Sequence, residues 1–413
     1  MLKLHSRLRL SLAALFSLLP LLLPMDADAQ SAGAQYKAET TRWRAAGNGF
    51  AAWQRDGVAL AAEGMLRLDP QKARTGTDPY RAGRYRGGNF YNGGTFLVGE
   101  GIGPVVTPGF LFSEAVPSWN ATTPPGSWVE VQLRARIGTQ WTAWYNLGVW
   151  VSGQEGVVRH SVSGQADARA YVDVDTLKIG RRGKPSTAGA YQLKVRLFST
   201  SRNALSSLEN ATVVVSTSPT APTNLVPGDP ARWNKLLDVP GCSQMVYPDG
   251  GEVWCSPTAV AMVLGYWAGG SGSCPAYVRA AVSGVYDRVY KGHGNWPFNT
   301  AYAASKGMEA YVTRFTSMAQ AEEWIASGVP VIMSISWGRG QLAGAPIAAS
   351  NGHLMVLVGF DAGGNPIVND PAAATNESVR RTYKRAELEK LWLQGSGGTA
   401  YLIYPLGKMV PEP

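Results

Sequence analysis

One cysteine in the sequence stands where a thiol can act as a nucleophile. Cys255 opens the segment CSPTAVAMVLGYW, in which Val260, Val263 and Leu264 recur at helical spacing. A proline suits the first turn and two glycines follow the last one, so we predict a helix over 256–268 with Cys255 at its N-terminus. The helix dipole and the free N–H groups at that end lower the pKa of a thiol. A buried structural cysteine fits the same position equally well.

A histidine and an acidic residue follow at the spacing of a hairpin. His353 precedes the apolar stretch LMVLVGF, and the returning stretch PIVNDP carries Asn369 and Asp370. An imidazole held by a polar group can serve as the general base for a nucleophile. A turn centred near Gly363 puts Asp370 opposite position 356, about 10 Å along the strand from His353 at ~3.3 Å per residue. Direct contact therefore requires a bulge, strong twist or asymmetric pairing, and the spacing does not choose between Asp370 and Asn369.

Two further cysteines flank the predicted helix. Cys242 and Cys274 lie in loop-like stretches beside glycine or proline. In an oxidising compartment the economical pairing is Cys242–Cys274, which leaves Cys255 free, whereas either other pairing consumes it. Three cysteines allow three single bridges, and the sequence alone does not decide among them.

The first 29 residues have the composition of a secretory signal peptide. Basic residues precede the apolar run LSLAALFSLLPLLLP, and alanines occupy the small-residue positions of a cleavage site that ends at Ala29. An uncleaved membrane anchor is the alternative, but the run is short for a span and two prolines interrupt it. We therefore expect cleavage after Ala29, a secreted or periplasmic chain and no membrane span in the mature protein.

The pattern changes in the middle of the chain. Residues 30–215 have short alternating strands and turns rich in glycine and proline, which are typical of an all-β sandwich or jelly roll. Residues 216–230 have the composition of a linker, and residues 231–413 mix helices with strands as an α+β domain does. The clearest N-terminal strands are predicted at 128–137, 141–151, 170–179 and 190–199. C-terminal helices are predicted at 256–268, 298–306, 318–327 and 385–393, and strands at 329–336, 353–360, 366–370 and 399–405.

Composition restricts the partners. The formal net charge of +9 at pH 7 favours anionic partners such as cell-envelope polymers, although a solvated basic surface explains it equally well. The sequence contains no nucleic-acid-binding motif and no cluster of metal ligands, so we expect neither nucleic acid nor a metal or other cofactor.

Taken together, the C-terminal segments resemble the papain-like cysteine peptidases. The likeness is strongest to the bacteriocin-leader-processing branch and its secreted bacterial relatives, and it covers most of 238–406. The segments that carry it are VPGCSQM, VWCSPTAVAMVLGYW, GNWPFNTAYAASKGMEAYVTRF, GVPVIMSISW, NGHLMVLVGF and PIVNDPAA. The N-terminal half looks like the β-sandwich region that accompanies such peptidases. The resemblance identifies no ligand-binding residue in that half.

The resemblance implies four catalytic roles. Cys255 would be the nucleophile, His353 the general base and later the general acid, and Asp370 the residue that orients the imidazole. Gln244 would donate to the oxyanion beside the backbone N–H of Cys255. Gln244 precedes Cys255 by eleven residues, a longer gap than in papain because YPDGGE intervenes.

The function that follows is thiol-dependent hydrolysis of an amide bond in a peptide or protein substrate. The same residues would serve a peptidoglycan amide hydrolase or an acyl transferase, which the motif does not separate. A non-catalytic envelope- or glycan-binding protein with a peptidase-like fold is a further alternative. Trp141, Trp144 and Trp150 would then stack on sugars, although half-buried strands use Trp in the same way.

Overall fold

A computed structural model of the protein describes residues 35–78, 91–153, 156–220, 225–270 and 274–412. The predicted signal peptide and its cleavage point at Ala29 lie outside these residues. Residues Gln35–Pro413 form one compact unit. Within the described ranges, no helix combines the length and the apolar character needed to cross a membrane.

The N-terminal half contains two antiparallel sheets. The part of it that the structure describes has fifteen strands. The first sheet has the order β11-β12-β7-β15-β4-β3 with β1 beside β15 and β13 beside β12, and the second has the order β10-β8-β14-β6-β2 with β5 beside β6 and β9 beside β8. In chain order the strands are β1 (Ala38–Arg44), β2 (Gln54–Asp56), β3 (Val58–Leu60), β4 (Leu66–Leu68), β5 (Arg74–Thr77), β6 (Thr95–Ile102), β7 (Glu114–Thr122), β8 (Ser127–Ile137), β9 (Gln140–Trp141), β10 (Tyr145–Trp150), β11 (Ala170–Asp173), β12 (Thr176–Arg181), β13 (Lys184–Pro185), β14 (Ala190–Ser199) and β15 (Ser207–Ser216).

The alternation of apolar and polar side chains explains why these segments form strands. Along β8, Val129, Val131 and Leu133 are fully buried in the core, whereas Gln132 and Arg134, which point to the other face, are partly exposed. The strand pairs with β14 over ten consecutive positions, so one apolar face continues across both. The prediction of a strand-rich N-terminal half is confirmed.

The predicted strand at 170–179 is wrong, because the chain reverses within it. β11 and β12 pair antiparallel, and the reversal occurs at Val174 and Asp175. Val174 has a φ of +57°, and the N–H of Asp175 donates to the carbonyl of Asp173 at 2.8 Å, which makes a γ-turn of the rare positive-φ type. No glycine, proline or asparagine marks this turn, so it was not predicted from the sequence.

The C-terminal half mixes helices with one antiparallel sheet, as predicted. The sheet order is β17-β22-β18-β19-β20-β21, with β16 beside β19. The helices are α1 (Cys255–Trp267), α2 (Cys274–Val285), α3 (Trp296–Ala304), α4 (Met318–Ala326) and α5 (Arg385–Ser396). The strands are β16 (Lys235–Leu236), β17 (Met308–Arg314), β18 (Val331–Trp337), β19 (Ser350–Phe360), β20 (Pro366–Asn369), β21 (Arg380–Thr382) and β22 (Thr399–Pro405), and short 3-10 helices span Pro230–Arg232, Gly251–Val253 and Asn376–Ser378.

The first helix is the best buried of these elements. Residues Ser256 to Gly265 of α1 are all buried, because the helix packs against α2, α3 and β19 on different sides. A helix that is apolar all round belongs inside a domain. The four predicted helices are present, while α2 was missed because its Cys-Pro start was assigned to a loop although proline suits a first helical turn.

The two halves meet through buried polar contacts. The side-chain amide of Asn120 on β7 donates to the Ala310 carbonyl on β17 at 2.6 Å. Arg314, at the end of β17, pairs with Glu114, at the start of β7, at 2.7 Å, and this arginine side chain is 2% exposed. Because such groups are costly to leave unpaired, these contacts fix the position of one half on the other.

The cysteines form one bridge. Cys242 is bonded to Cys274, the first residue of α2, across 32 residues, and Cys255 is free. The closed loop contains the whole of α1, so the bridge joins the segment before the helix to the helix that follows it.

The double substitution Cys242→Ala with Cys274→Ala should lower the free energy of unfolding by about 3–4 kcal/mol, because it restores the entropy of a loop of this length to the unfolded chain. Urea denaturation of the double variant and of the parent measures the difference. Cys255→Ala, which removes a thiol without opening the loop, is the matched control. An equal midpoint for the double variant and the control would contradict the stabilising role.

Candidate active site

The free thiol lies at the start of a buried helix. Cys255 is the first residue of α1 and is half-buried. Backbone groups of Ser256 and Leu354 hydrogen-bond to the thiol, and the ring of His353 does so from β19. Helix and sheet therefore converge on the sulfur.

The imidazole of His353 is held on its far side by a carboxylate. His353 lies on β19 opposite Ile335 of β18 and is 2% exposed. Its Nε2 hydrogen-bonds to Asp370 Oδ1 at 2.7 Å, which leaves Nδ1 as the ring nitrogen for the thiol of Cys255. The indole of Trp337 meets the imidazole edge-on, with 5.5 Å between ring centroids. The ring is thus fixed in tautomer and orientation.

The contact between histidine and aspartate is made possible by a bulge. β19 and β20 pair from Phe360 with Pro366, but the register shifts between Leu357 and Gly359. The shift brings the end of β20 further along β19 towards His353 than symmetric pairing would. The sequence spacing required an irregularity of this kind.

The side chain of the neighbouring residue Asn369 binds a different part of the protein. Its side-chain amide donates to the carbonyl of Val239 at 3.0 Å, on the other side of the strand from His353. The structure therefore brings Asp370, and not Asn369, to the imidazole.

The carboxylate of Asp370 is surrounded by donors. Besides His353, Oδ1 accepts the backbone N–H of Ala372 at 3.0 Å, and Oδ2 accepts the hydroxyl of Tyr383 at 2.8 Å. Both Asp370 and Tyr383 are buried. Tyr383 lies just after β21, and sequence reasoning did not find it because a tyrosine hydroxyl thirteen residues from a carboxylate carries no local signal.

Electrostatics favour an ion pair in this cluster. Burial would lower the pKa of His353, but the Asp370 carboxylate and the Cys255 thiol raise it to about 10. Burial would raise the pKa of Cys255, but the hydrogen bond and charge of His353, with two backbone groups, lower it overall. Because one pKa falls while the other rises, the two shifts together favour the pair of a thiolate and an imidazolium.

Gln244 lies in the same cleft in a restrained orientation. Its backbone N–H donates to the Pro371 carbonyl at 2.8 Å, and its side-chain Nε2 donates to the Gly251 carbonyl at 2.9 Å. Since a carbonyl only accepts, the amide nitrogen must face Gly251. Among the described residues, Nε2 makes this single hydrogen bond and the buried Oε1 has no partner, so the second amide N–H is available to a ligand.

Both halves of the chain line the cleft, which has a volume of about 730 Å³. The C-terminal half provides Cys255, His353 and Gln244, and it adds Tyr290, His293 and Trp296 from the segment that leads into α3. The N-terminal half provides the turn between β11 and β12, at residues 173–176, with Lys178. Sequence reasoning missed this contribution because the turn was assigned to a continuous strand.

The tryptophans considered for sugar stacking have different environments. Trp150 is fully buried and packs on Phe298 of α3. Trp141 and Trp144 are half-buried, and the guanidinium of Arg134 lies over both rings, at 4.4 and 4.6 Å from their centroids. None of the three lines the cleft.

Other features of the described residues lie away from this chemistry. A second cavity of about 750 Å³ lies between the two halves near Arg44 and Met308, and it contains none of Cys255, His353 or Asp370. In the ranges that the structure describes, no group of three or more His, Cys, Asp and Glu side chains could hold a metal ion.

Comparisons with known proteins give two family matches. Residues 39–216 match the model of the peptidase C39 N-terminal domain, and residues 236–400 match that of the peptidase C39-like family. A search of curated proteins finds no match.

Among solved structures, the chain is similar to a family two carbohydrate esterase from Cellvibrio japonicus. It is 12% identical, the alignment covers 49% of this chain and 43% of the esterase chain, and the TM-score is 0.17. The chain thus spans less than half of that structure, and a likeness this weak carries no argument about fold or function.

Tyr383→Phe should lower the free energy of unfolding by about 1–3 kcal/mol, because it removes the donor to Oδ2 of a carboxylate that water does not reach. Urea denaturation measures the loss. Tyr266→Phe is the matched control: its hydroxyl donates at 3.3 Å to the Gly328 carbonyl and is only partly buried. Its expected change stays within about 0.5 kcal/mol. Equal losses in both variants would show that the contact with Asp370 has no special weight.

Alkylation of Cys255 by iodoacetamide should reach half its maximum rate below pH ~8.5, the pKa of a free cysteine, because the imidazolium stabilises the thiolate. The imidazolium itself is lost only as the pH rises through about 10. His353→Gln keeps an N–H donor for Asp370 but carries no charge, so it should move the midpoint to higher pH. Stopped-flow rates across pH 5–10, with peptide mapping of the labelled residue, provide the test. An unchanged midpoint in the variant would refute the ion pair.

Proposed function

We propose that the protein hydrolyses peptide bonds through Cys255, His353 and Asp370, because residues 39–216 and 236–400 match two models of the peptidase C39 family. One observation carries the proposal. A thiol at a helix N-terminus is hydrogen-bonded to an imidazole whose other nitrogen is held at 2.7 Å by a buried carboxylate. Nucleophile, base and orienting group are the three parts that acyl transfer from an amide requires.

Acylation begins with the thiolate of Cys255. Its sulfur attacks the carbonyl carbon of the scissile amide, and the carbonyl oxygen becomes an oxyanion. The imidazolium of His353 then gives its proton to the amide nitrogen, the carbon–nitrogen bond breaks, and the amine leaves. The products of this half-reaction are a thioester on Cys255, a free amine and a neutral imidazole.

Deacylation reverses the proton transfer. The neutral His353 takes a proton from a water molecule, whose oxygen attacks the thioester carbon. The carbon–sulfur bond breaks, a carboxylic acid leaves, and the thiolate and imidazolium return. Asp370 keeps its negative charge throughout and stabilises the imidazolium, while its hydrogen bond prevents the ring from turning.

The oxyanion of both steps is assigned to Gln244 and the backbone N–H of Cys255. The support is the amide orientation, in which Gly251 engages one N–H of the Gln244 side chain and leaves the second for the cleft. A fixed donor needs no reorganisation when the charge develops, and one such donor contributes about 10²–10³ in rate in well-studied hydrolases.

We also propose a papain-like fold for the C-terminal half and a sandwich of the two sheets for the N-terminal half, divided near 216–230. The supporting features are the nucleophile at the start of a buried helix, the general base on an antiparallel sheet, and the two N-terminal sheets with a shared core. Secretion or export to the periplasm is proposed from the N-terminal composition, and the Cys242–Cys274 bridge is consistent with an oxidising compartment.

Cys255→Ala should abolish hydrolysis of peptide bonds while the thermal midpoint stays within a few degrees of the parent. The measurement is cleavage of a mixed, internally quenched peptide library, followed by mass spectrometry of the new termini. Parent protein alkylated by iodoacetamide is the second control, because it loses the thiol without any change of sequence. Cleavage by the variant at the parent rate would refute the proposal. Release of amines from purified cell walls, with no cleavage of the library, would redirect it to envelope amides.

A further inference from the structure

The turn between β11 and β12 is strained where it faces the cleft. Val174 is β-branched and sits at a φ of +57°, a backbone conformation that such residues rarely adopt. The γ-turn around it is a rare type. Strain of this kind costs of the order of 1–3 kcal/mol and persists only where the surroundings enforce it.

The contacts that hold the turn come from both halves of the chain. Asp175 Oδ2 accepts the backbone N–H of Trp296, the first residue of α3, at 2.7 Å across 121 residues of sequence. Thr176 Oγ1 donates to the other carboxylate oxygen at 3.1 Å. Below the turn, Lys178 pairs at 3.0 Å with Glu114, which also receives Arg314. The turn is therefore held at its tip and at its base.

Val174 of the turn and two aromatic residues of the other half give the cleft an apolar surface. Val174 and Trp296 are half-buried, Tyr290 is 47% exposed, and all three line the cleft with Cys255. Burial, and after it the charges of Asp175 and Cys255, raise the pKa of Tyr290, so its ring lies within electrostatic range of both.

The buried acidic group of the turn is already engaged. Asp175 is 6% exposed and both its oxygens accept hydrogen bonds, so it is not available to a basic substrate side chain. The other acidic residue, Asp173, is exposed and pairs with Arg182 at 3.8 Å.

We propose that Val174, with Tyr290 and Trp296, forms a subsite for an apolar side chain of the peptide substrate, and that Asp175 is the positioning residue that holds Val174 there. The N-terminal half is then part of the substrate-binding cleft. This inference rests on the proposed peptidase function and adds the class of side chain that the cleft selects.

The test uses peptidyl chloromethyl ketones, in which the sulfur of Cys255 bonds to the methylene carbon as chloride leaves. The parent reagent carries three alanines, and three further reagents carry leucine at each position in turn. With the full-length protein, one leucine reagent should alkylate Cys255 about tenfold faster than the alanine reagent, the usual gain from burying an apolar side chain. Chloroacetone, which has the same reactive group and no peptide part, reports the thiol alone.

Val174→Gly should remove most of that preference for leucine when each rate is divided by the rate with chloroacetone. Glycine tolerates the positive φ, so the variant should fold at least as well as the parent. Asn48→Gly is the matched control, because Asn48 also has a positive φ, of 59°, and does not line the cleft. It should retain the full preference.

Asp175→Ala should reduce the preference as Val174→Gly does, whereas Asp175→Asn should retain it, because the amide oxygen still accepts from Trp296. A leucine preference that survives in Val174→Gly would overturn the subsite while leaving the peptidase proposal intact. If no peptidyl reagent outpaces chloroacetone on the parent protein, the peptidase proposal fails and the subsite fails with it.

Discussion

The carboxylate of Asp370 carries its negative charge where water does not reach, and the arrangement of the cleft follows from that constraint. A buried charge is tolerated only when donors surround it, and here the donors are His353, the Ala372 backbone and Tyr383. The bulge in the pairing of β19 with β20 brings the carboxylate of Asp370 and the imidazole of His353 together. Once they are together, the positive imidazole becomes the favourable state, and the thiolate of Cys255 becomes favourable in turn.

The nucleophile is kept in place by different means. α1 is buried on nearly all sides, so its first residue cannot move without disturbing the core. The Cys242–Cys274 bridge closes the chain around that helix. It also occupies the two cysteines that could otherwise pair with Cys255. The free thiol therefore has no cysteine partner within its own chain, and it lines the cleft.

Sequence reasoning located the elements with strong local signals. The helix of Cys255 has helical spacing, a proline at its start and glycines after its end, and the strand of His353 is a long apolar run. The spacing alone could not choose Asp370 over Asn369, because the contact depends on a bulge that shifts the register by one residue, and the choice came from the family resemblance. The partner Tyr383 and the turn at Val174 were missed for a related reason: both are defined by contacts with distant segments, and neither has a turn or capping signal of its own.

The hydrogen bond between Asp175 and Trp296 spans 121 residues, and the ion pair between Glu114 and Arg314 spans a still longer stretch of chain. Contacts so far apart in sequence require the closure of long loops, which costs entropy that the folded structure must offset. The C-terminal half alone contains Cys255, His353 and Asp370, but it lacks the turn at 173–176 that completes the lining of the cleft. In this architecture the cleft is complete only when both halves are folded and in contact.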